Sequence, residues 1–243
     1  MYRKAVAIYE VALGDDHEAV SSTLTAIAEL LDTMDQPQKA LQAWQDVLAI
    51  RQRVHGDAPH EGTVSVLNSV ALAFMAVDRY AEALDYYQQS LTMLYDVFPT
   101  AEELEMTADL HCNMAVAYCQ LGNKKTALTM YRKAVAIYEV ALGDDHEAVS
   151  STLTAIAELL DTMDQPQKAL QAWQDVLAIR QRVHGDAPHE GTVSVLNSVA
   201  LAFMAVDRYA EALDYYQQSL TMLYDVFPTA EELEMTADLH CNM

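Results

Sequence analysis

The chain contains the same sequence twice. Residues 1–114 recur without a change as residues 130–243, which is a period of 129 residues. Such a repeat indicates recent copying, gene homogenisation or an engineered concatemer. Because a repeat array has no single closed core, repetition limits the fold more than length does. Two identical halves cannot have specialised separately, so whatever one half binds, the other can bind too.

A shorter period divides each of these repeats into three units. Ala40, Ala83, Ala127 and Ala169 each precede a leucine and are spaced 43, 44 and 42 residues apart. This spacing predicts a single array over residues 1–243, which we interpret as a window from a longer array, with ends that meet as the alternative. Its predicted parts are the second helix of a partial unit at 1–14, complete units at 15–57, 58–99, 100–143, 144–186 and 187–228, and the first helix of a partial unit at 229–243.

Each complete unit is predicted to form two helices joined by a short turn. Val20, Leu24, Ile27 and Leu31 lie at helical spacing, and a second apolar stripe follows Pro37. The alternation of a half-buried strand is absent, so the predicted class is all-α. The joints carry the residues that begin and end helices: Pro37, Pro59 and Pro99 at starts, Gly14, Gly56 and Gly143 at ends, Asp15, Asp16 and Asp57 as caps, and Thr100 with Glu103 as a capping box.

Small residues predict where the two helices of a unit approach each other. An alanine on each helix permits close contact, and a large aromatic residue four positions after the second alanine fills the space beyond. One helix pair cannot bury its apolar stripes alone, so neighbouring pairs must stack. The alanine pairs are Ala28 with Ala40, Ala71 with Ala83, and Ala115 with Ala127, and the aromatic residues are Trp44, Tyr87 and Tyr131.

These residues resemble the tetratricopeptide repeat over essentially the whole chain. The strongest unit runs from Met114 to Gly122 and continues with Ala127, Tyr131 and Ala134. The resemblance implies a right-handed α-α superhelix, a solenoid of stacked antiparallel helix pairs. Units of 42–44 residues, the joint at residues 14–18 and the segment at residues 47–56 are similar to the kinesin light chain subtype. Four positions depart from the family pattern: Asp35 and Asp78 replace the turn glycine, and Val47 and Ser90 replace the last alanine.

Composition limits which binding partners and which cellular compartment we expect for this chain. The formal net charge is −22, and such a field repels nucleic-acid backbones and anionic lipid surfaces, so neither partner is expected. A hydrophobic content of 52% is ample for a folded core. The odd number of cysteines, Cys112, Cys119 and Cys241, on helical segments indicates reduced thiols and a cytoplasmic protein, with a cytoskeletal association if the array forms filaments.

No pattern in the chain predicts catalysis, so we expect no enzyme, no cofactor and no metal site. There is no glycine-rich phosphate loop and no His-Glu-x-x-His motif. His17 lies among Asp15, Asp16 and Glu18, which we interpret as a solvated capping segment. His55 and His60 flank a joint and are interpreted as loop residues. Cys112 and Cys119 share a helix face but lie about 10 Å apart along the helix axis, too far for a disulfide.

The tetratricopeptide resemblance implies that the first helix of each pair lines a concave groove. The sequence adds that every lysine and arginine falls on a second helix or at its edge, and none on a first helix. Asn68 and Asn113 are predicted to hold the backbone of an extended peptide through their amides. The predicted groove residues are Ser22, Thr25, Glu29, Asp32, Ser65, Asn68, Leu72, Met75, Asp109, Cys112, Asn113, Val116, Cys119, Gln120, Ser151, Thr154, Glu158, Asp161, Ser194, Asn197, Leu201 and Met204.

This charge distribution predicts a non-enzymatic scaffold for protein or peptide ligands. Relatives that hold a terminal carboxylate or an acidic peptide use lysine and arginine in the groove, and here those residues are missing. We therefore expect a basic or neutral ligand segment. The alternatives are an acidic face that keeps a long array soluble, and a structural array that associates head to tail through apolar stripes at its two ends.

Overall fold

The described part of the chain is helical throughout. The computed structural model describes residues 14, 18–56, 58–97, 101–185, 187 and 189–226, and their regular secondary structure is α-helix alone. This confirms the all-α prediction. The predicted partial units at residues 1–13 and 229–243, Cys241, His17 and the capping residues Asp15, Asp16, Asp57 and Thr100 lie outside the described residues. The helices are α1 (Glu18–Thr33), α2 (Pro37–His55), α3 (Glu61–Ala76), α4 (Tyr80–Val97), α5 (Ala101–Gln120), α6 (Lys124–Leu142), α7 (Glu147–Thr162), α8 (Pro166–His184), α9 (Glu190–Met204) and α10 (Tyr209–Val226).

The helices form antiparallel pairs in two compact units, residues 1–130 and 131–243. In the first unit α1 packs on α2 and α3 on α4, while α2 contacts α3 and α4 contacts α5. In the second unit α7 packs on α8 and α9 on α10, and α8 contacts α9. The odd-numbered helices are the first helices of their pairs, and the even-numbered helices are the second.

Alanine contacts between the paired helices are buried as the sequence predicts. Ala28, Ala40, Ala71 and Ala83 are completely inaccessible to solvent. Trp44 is only 6% exposed and Tyr87 is fully buried, so each aromatic ring fills the space next to an alanine contact. Close packing of this kind leaves no room for an added side chain, and it fixes the spacing of each helix pair.

One departure from the family pattern has a structural reason. Ser90 is fully buried on α4, and its hydroxyl donates a hydrogen bond of 3.0 Å to the carbonyl oxygen of Val64 on α3. The second copy repeats the contact, with Ser219 donating to Val193 at 3.2 Å. An alanine could not make this bond, so the serine joins the two helices of its pair.

The turns between paired helices use aspartate in a conformation that suits glycine. A non-glycine residue rarely adopts a positive φ, because its Cβ approaches the following carbonyl oxygen. The turn between α5 and α6 has the usual glycine, Gly122, with a φ of 74°. The other four turns have Asp35 at 53°, Asp78 at 59°, Asp164 at 55° and Asp207 at 60°.

The helix starts use histidine as a cap. The N-cap of α3 is His60, whose Nδ1 accepts a hydrogen bond of 3.0 Å from the amide of Gly62. His146 and His189 cap α7 and α9 in the same way. A histidine ring supplies the acceptor that an aspartate carboxylate was expected to supply. At the helix ends, Gly56 and Gly143 follow α2 and α6 with positive φ, as predicted.

Two of the joints also contain stacked histidine rings. The ring centroids of His55 and His60 are 3.8 Å apart, and those of His184 and His189 are 3.9 Å apart. Burial lowers the pKa of His184, and the charges of His189 and Arg180 lower it further, while Glu147 opposes them. His60, expected to be an ordinary loop residue, therefore has two structural contacts, one to the helix start and one to His55.

Candidate peptide-binding face

The predicted groove residues all lie on first helices, and we call their exposed surface the first-helix face. In the first unit this face is formed by α1, α3 and α5, and in the second unit by α7 and α9. Within the described residues these five helices carry no lysine or arginine. The residues by helix are Ser22, Thr25, Glu29 and Asp32 on α1; Ser65, Asn68, Leu72 and Met75 on α3; Asp109, Cys112, Asn113, Val116, Cys119 and Gln120 on α5; Ser151, Thr154, Glu158 and Asp161 on α7; and Ser194, Asn197, Leu201 and Met204 on α9.

The first-helix face combines exposed carboxylates with exposed apolar side chains. Glu29 and Asp32 on α1 are exposed, and so is Asp109 on α5. On α3, Leu72 is 45% exposed, and its copy Leu201 is 53% exposed. An exposed leucine between acidic helices offers apolar contact area, while the carboxylates determine which charge can approach.

The hydroxyl groups on this face donate to their own helices. The hydroxyl of Thr25 donates a hydrogen bond of 3.0 Å to the carbonyl oxygen of Ser21, and Thr154 repeats the bond to Ser150 at 2.9 Å. Ser69 donates to the carbonyl of Ser65 at 3.2 Å. With their protons used within the helix, these groups face a ligand mainly as acceptors.

Asp32 has a structural partner that the sequence did not reveal. The indole nitrogen of Trp44, on α2, donates a hydrogen bond of 2.9 Å to Oδ2 of Asp32. Asp161 and Trp173 repeat this contact at 3.0 Å. One carboxylate oxygen therefore satisfies a mostly buried tryptophan, and a substitution of Asp32 that removes the acceptor disturbs the fold as well as the face.

A pocket brings residues of two neighbouring helix pairs together. It has a volume of about 270 Å³ and lies between the end of α1 and the end of α3. Asp32 and Asp35 lie on one side, and Leu72, Ala73 and Ala76 on the other, with Pro37 also in the wall. Asp32 and Leu72, both predicted groove residues, thus border one pocket that is acidic on one side and apolar on the other.

Asn68 presents a buried acceptor without a partner. Its Oδ1 is inaccessible to solvent and has no hydrogen bond among the described residues, and the same is true of Asn197 in the second copy. An unpaired buried acceptor costs about 1–3 kcal/mol. Because the feature recurs in both copies at predicted groove positions, each asparagine has an acceptor oxygen that the described residues leave unsatisfied.

One of the two thiols of this face is a weaker nucleophile than an ordinary cysteine. Cys112 and Cys119 on α5 are half-buried, and neither is part of a disulfide. Burial raises the pKa of Cys119, and the nearby charge of Lys124 offsets part of that rise. A raised pKa lowers the thiolate fraction and hence the nucleophilicity.

The cations lie on the second helices, as the sequence indicates. Lys39, Arg51 and Arg53 are on α2, and Arg79 precedes α4, where it forms a 2.8 Å salt bridge with Glu82. The same arrangement recurs with Lys168, Arg180, Arg182 and Arg208, while α6 carries Lys124, Lys125, Arg132 and Lys133. Arg3 and Lys4 lie outside the described residues. Lysine and arginine are thus confined to one helix of each described pair or the residue just before it, whereas carboxylates lie on both helices.

The described residues contain no cluster of three or more histidine, cysteine, aspartate or glutamate side chains arranged to hold a metal ion. No helix within the described ranges combines the length and apolarity that a membrane crossing needs.

Helix pairs repeated at intervals of 42–44 residues define an α-helical repeat protein with an exposed, cation-free face. The chain matches the tetratricopeptide repeat family over residues 1–53, 34–96, 106–182 and 163–225, and it belongs to that family. Repeats of this family serve as scaffolds for protein interaction.

Named relatives agree with the kinesin light chain resemblance. Protein KINESIN LIGHT CHAIN-RELATED 1 of Arabidopsis thaliana is 23% identical over 225 residues, covering 92% of this chain and 36% of that protein. The chain thus spans about a third of the length of the curated relatives it matches first.

Solved structures agree in fold. A Podosopora anserina protein described as a kinesin light chain with nearly identical TPR-like repeats has a TM-score of 0.74 at 20% identity, covering 88% of this chain and 99% of that one. YrrB, described as a TPR protein with an unusual peptide-binding site, has a TM-score of 0.56 at 14% identity, covering 96% and 98%.

Proposed function

We propose that the chain is a cytoplasmic, non-enzymatic scaffold whose first-helix face binds extended or helical protein segments that are basic or neutral. The observation that carries this proposal is the absence of lysine and arginine from the first helices in the described residues, while Glu29, Asp32 and Asp109 are exposed there. An acidic segment on this face would meet exposed carboxylates, and the described first helices supply no lysine or arginine to balance its charge. A basic segment gains favourable charge contacts and faster association.

Leu72 supplies the apolar part of the proposed site, and the pocket beside it supplies the acidic part. An apolar ligand side chain would contact Leu72, while a neighbouring lysine or arginine of the ligand reaches Asp32 or Asp35 across the pocket. Asp32 keeps one carboxylate oxygen for the ligand because Trp44 uses only the other. A charge contact at such an exposed rim contributes about 0.5–1 kcal/mol.

Asn68 is proposed to hold the ligand backbone. Its Oδ1 has no partner within the described residues, so a small rotation of the side chain would let the amide pair with a peptide group of the ligand. Pairing would remove the cost of the unsatisfied acceptor, and that difference favours the bound state. Asn197 repeats the arrangement in the second unit.

The identical repeat adds multivalency. Glu29 and Asp32 in the first unit recur as Glu158 and Asp161 in the second. A ligand with two basic segments joined by a linker of suitable length would bind both units, and the second contact would be intramolecular. Such a ligand would bind more tightly than either segment alone.

The proposal is tested by neutralising the face without changing its shape. We would measure the fluorescence anisotropy of a labelled lysine-rich peptide with Glu29→Gln, Asp32→Asn, Glu158→Gln and Asp161→Asn combined. Asparagine retains an oxygen acceptor for the indole, so the fold contact is kept. Two lost rim charges per unit should weaken binding by about 1–2 kcal/mol, or roughly 5- to 30-fold.

A matched control removes the same charge from the second helices. Asp46→Asn, Asp85→Asn, Glu139→Gln and Asp214→Asn change four exposed carboxylates on α2, α4, α6 and α10. This variant has the same net charge as the first one, but its four changed residues lie on second helices. Its affinity for the peptide should therefore fall by no more than about twofold. Equal losses in both variants would mean that only net charge attracts the peptide. A glutamate-rich peptide that binds the wild-type chain more tightly and displaces the lysine-rich peptide would contradict the proposal.

A further inference from the structure

A second cavity, in the second unit, differs in chemistry from the pocket beside Leu72. It has a volume of about 290 Å³ and is bordered by α6, α7 and α8 within the second unit. Its rim includes Arg132 on α6 and Lys168 on α8, and its walls include Val135, Leu153 and Ile156. It is the counterpart in charge of the first-helix face, since two cations overlook an apolar floor.

Within the described ranges, neither of these two cations pairs with a carboxylate. Arg132 has no salt bridge or hydrogen bond among the described residues. The amine of Lys168 contacts the side-chain oxygen of Gln165 at 2.7 Å, which is a neutral partner. By contrast, Arg182, which lies on α8 as Lys168 does, forms a salt bridge of 2.5 Å with Asp145, which precedes α7. In a chain with a net charge of −22, these two cations meet beside one apolar cavity.

One carboxylate also borders the cavity. Asp175 lines its wall and accepts a hydrogen bond of 2.9 Å from the side-chain nitrogen of Gln171. The local formal charge is therefore one positive unit, from Arg132 and Lys168 against Asp175. A ligand anion would pair with the two cations and be repelled by Asp175, so the three side chains act on its affinity with known signs.

We propose that this cavity binds a protein segment in which an acidic residue neighbours a large apolar one. The apolar side chain enters the cavity and covers Val135, Leu153 and Ile156, while the carboxylate pairs with Arg132 and Lys168. Arginine binds a carboxylate through two parallel hydrogen bonds, which gives the contact direction as well as charge. The scaffold then binds segments of opposite charge at the first-helix face and at this cavity, and this inference does not rest on the function proposed for the first-helix face.

The experiment uses two labelled peptides, one with glutamates flanking a phenylalanine and one with glutamines in their place. Fluorescence anisotropy with the full chain should show binding of the glutamate peptide at least about fivefold tighter than the glutamine peptide. Equal binding of the two peptides would overturn the proposal, because the cavity would then select only the apolar side chain.

Adjacent residues of the repeat provide a matched pair of variants. Arg3 and Lys4 are the sequence equivalents of Arg132 and Lys133, so each variant is made in both copies. Arg3→Gln with Arg132→Gln should weaken the glutamate peptide about fivefold or more, whereas Lys4→Gln with Lys133→Gln should change it less than about twofold. Lys133 is exposed on α6 but does not border the cavity. Similar losses in both variants would overturn the assignment to this cavity.

A gain of binding completes the test. Asp175→Asn removes the one carboxylate of the cavity, so it should tighten the glutamate peptide about two- to fivefold and leave the glutamine peptide unchanged. An unchanged affinity for the glutamate peptide would contradict the proposed position of its carboxylate. The lysine-rich peptide should bind the arginine variant as it binds the wild type. If that peptide binds no form of the chain, the function proposed for the first-helix face fails while this result stands.

Discussion

Replacement of Ala40 by leucine should destabilise the first unit selectively. Ala40 and Ala28 face each other across a helix pair with no solvent exposure, so the added isobutyl carbons must displace a helix or force strained rotamers. Overpacking of this kind costs about 1–3 kcal/mol or more. The first unit covers residues 1–130, for which each kcal/mol lowers the midpoint of thermal unfolding by roughly 3–5 °C. We therefore expect a decrease of about 3–15 °C.

The two tryptophans make the effect measurable in one unit at a time. Trp44 lies in the first unit and Trp173 in the second, and the chain has no others. With Trp173→Phe in the background, tryptophan fluorescence follows the first unit alone. Ala49→Leu is the control, because Ala49 is exposed on the same helix, and it should change the unfolding free energy by no more than about 0.5 kcal/mol. Equal midpoints for the two leucine variants would refute the close alanine contact.

Three further changes have expected outcomes. Ser90→Ala should lower the free energy of unfolding in urea by about 0.5–1.5 kcal/mol, because the bond to the Val64 carbonyl is lost; an unchanged midpoint would show that this bond contributes nothing. Asp35→Gly should raise it by about 0.5–1 kcal/mol, because glycine adopts the positive φ of this turn without strain, and a loss of stability would contradict that reason. Because the pKa of His184 is lowered in the folded state, the unfolded state binds its proton first as the pH falls. Stability should therefore be constant above about pH 6.5 and decrease below it, with a smaller decrease in His184→Gln, as urea midpoints across this range would show.

Local patterns were enough to predict the helix pairs. The recurrence of alanine before leucine, the apolar stripes and the prolines at the joints depend on residues close in sequence. The burial of Ala28 against Ala40 followed from the same patterns, because both alanines face the partner helix in every unit. The glycine ends at Gly56 and Gly143 were predictable for a similar reason, since a left-handed residue after a helix favours glycine.

The contacts that the sequence did not reveal join side chains across a turn. Asp32 and Trp44 are 12 residues apart, and their hydrogen bond depends on the angle at which α1 meets α2. Hydrophobic periodicity carries no information about that angle. His60 was missed as a helix cap because histidine is an uncommon N-cap, and Asp57 was the more usual candidate nearby. Ser90 was recognised only as a departure from the family pattern, and its role required the carbonyl of Val64 to be located.

The candidate face was predictable in its residues and charge but not in its pockets. The absence of lysine and arginine from first helices is a property of the sequence. The pocket between Asp32 and Leu72 and the cavity beneath Arg132 form where two helix pairs meet, so they depend on stacking between units. Resemblance to a repeat family therefore indicates which helices face a ligand, while the stacking determines where a side chain can enter.

Photo-crosslinking tests most directly whether ligands bind the first-helix face. A photoreactive amino acid would replace Leu72 or Leu201 on first helices, or Val54 or Val183 on second helices. These positions are similarly exposed, at 45%, 53%, 49% and 51%. With a bound lysine-rich peptide, we predict crosslinks from positions 72 and 201 and few from positions 54 and 183. Crosslinks of equal yield from both sets, or a higher yield from the second helices, would contradict this prediction.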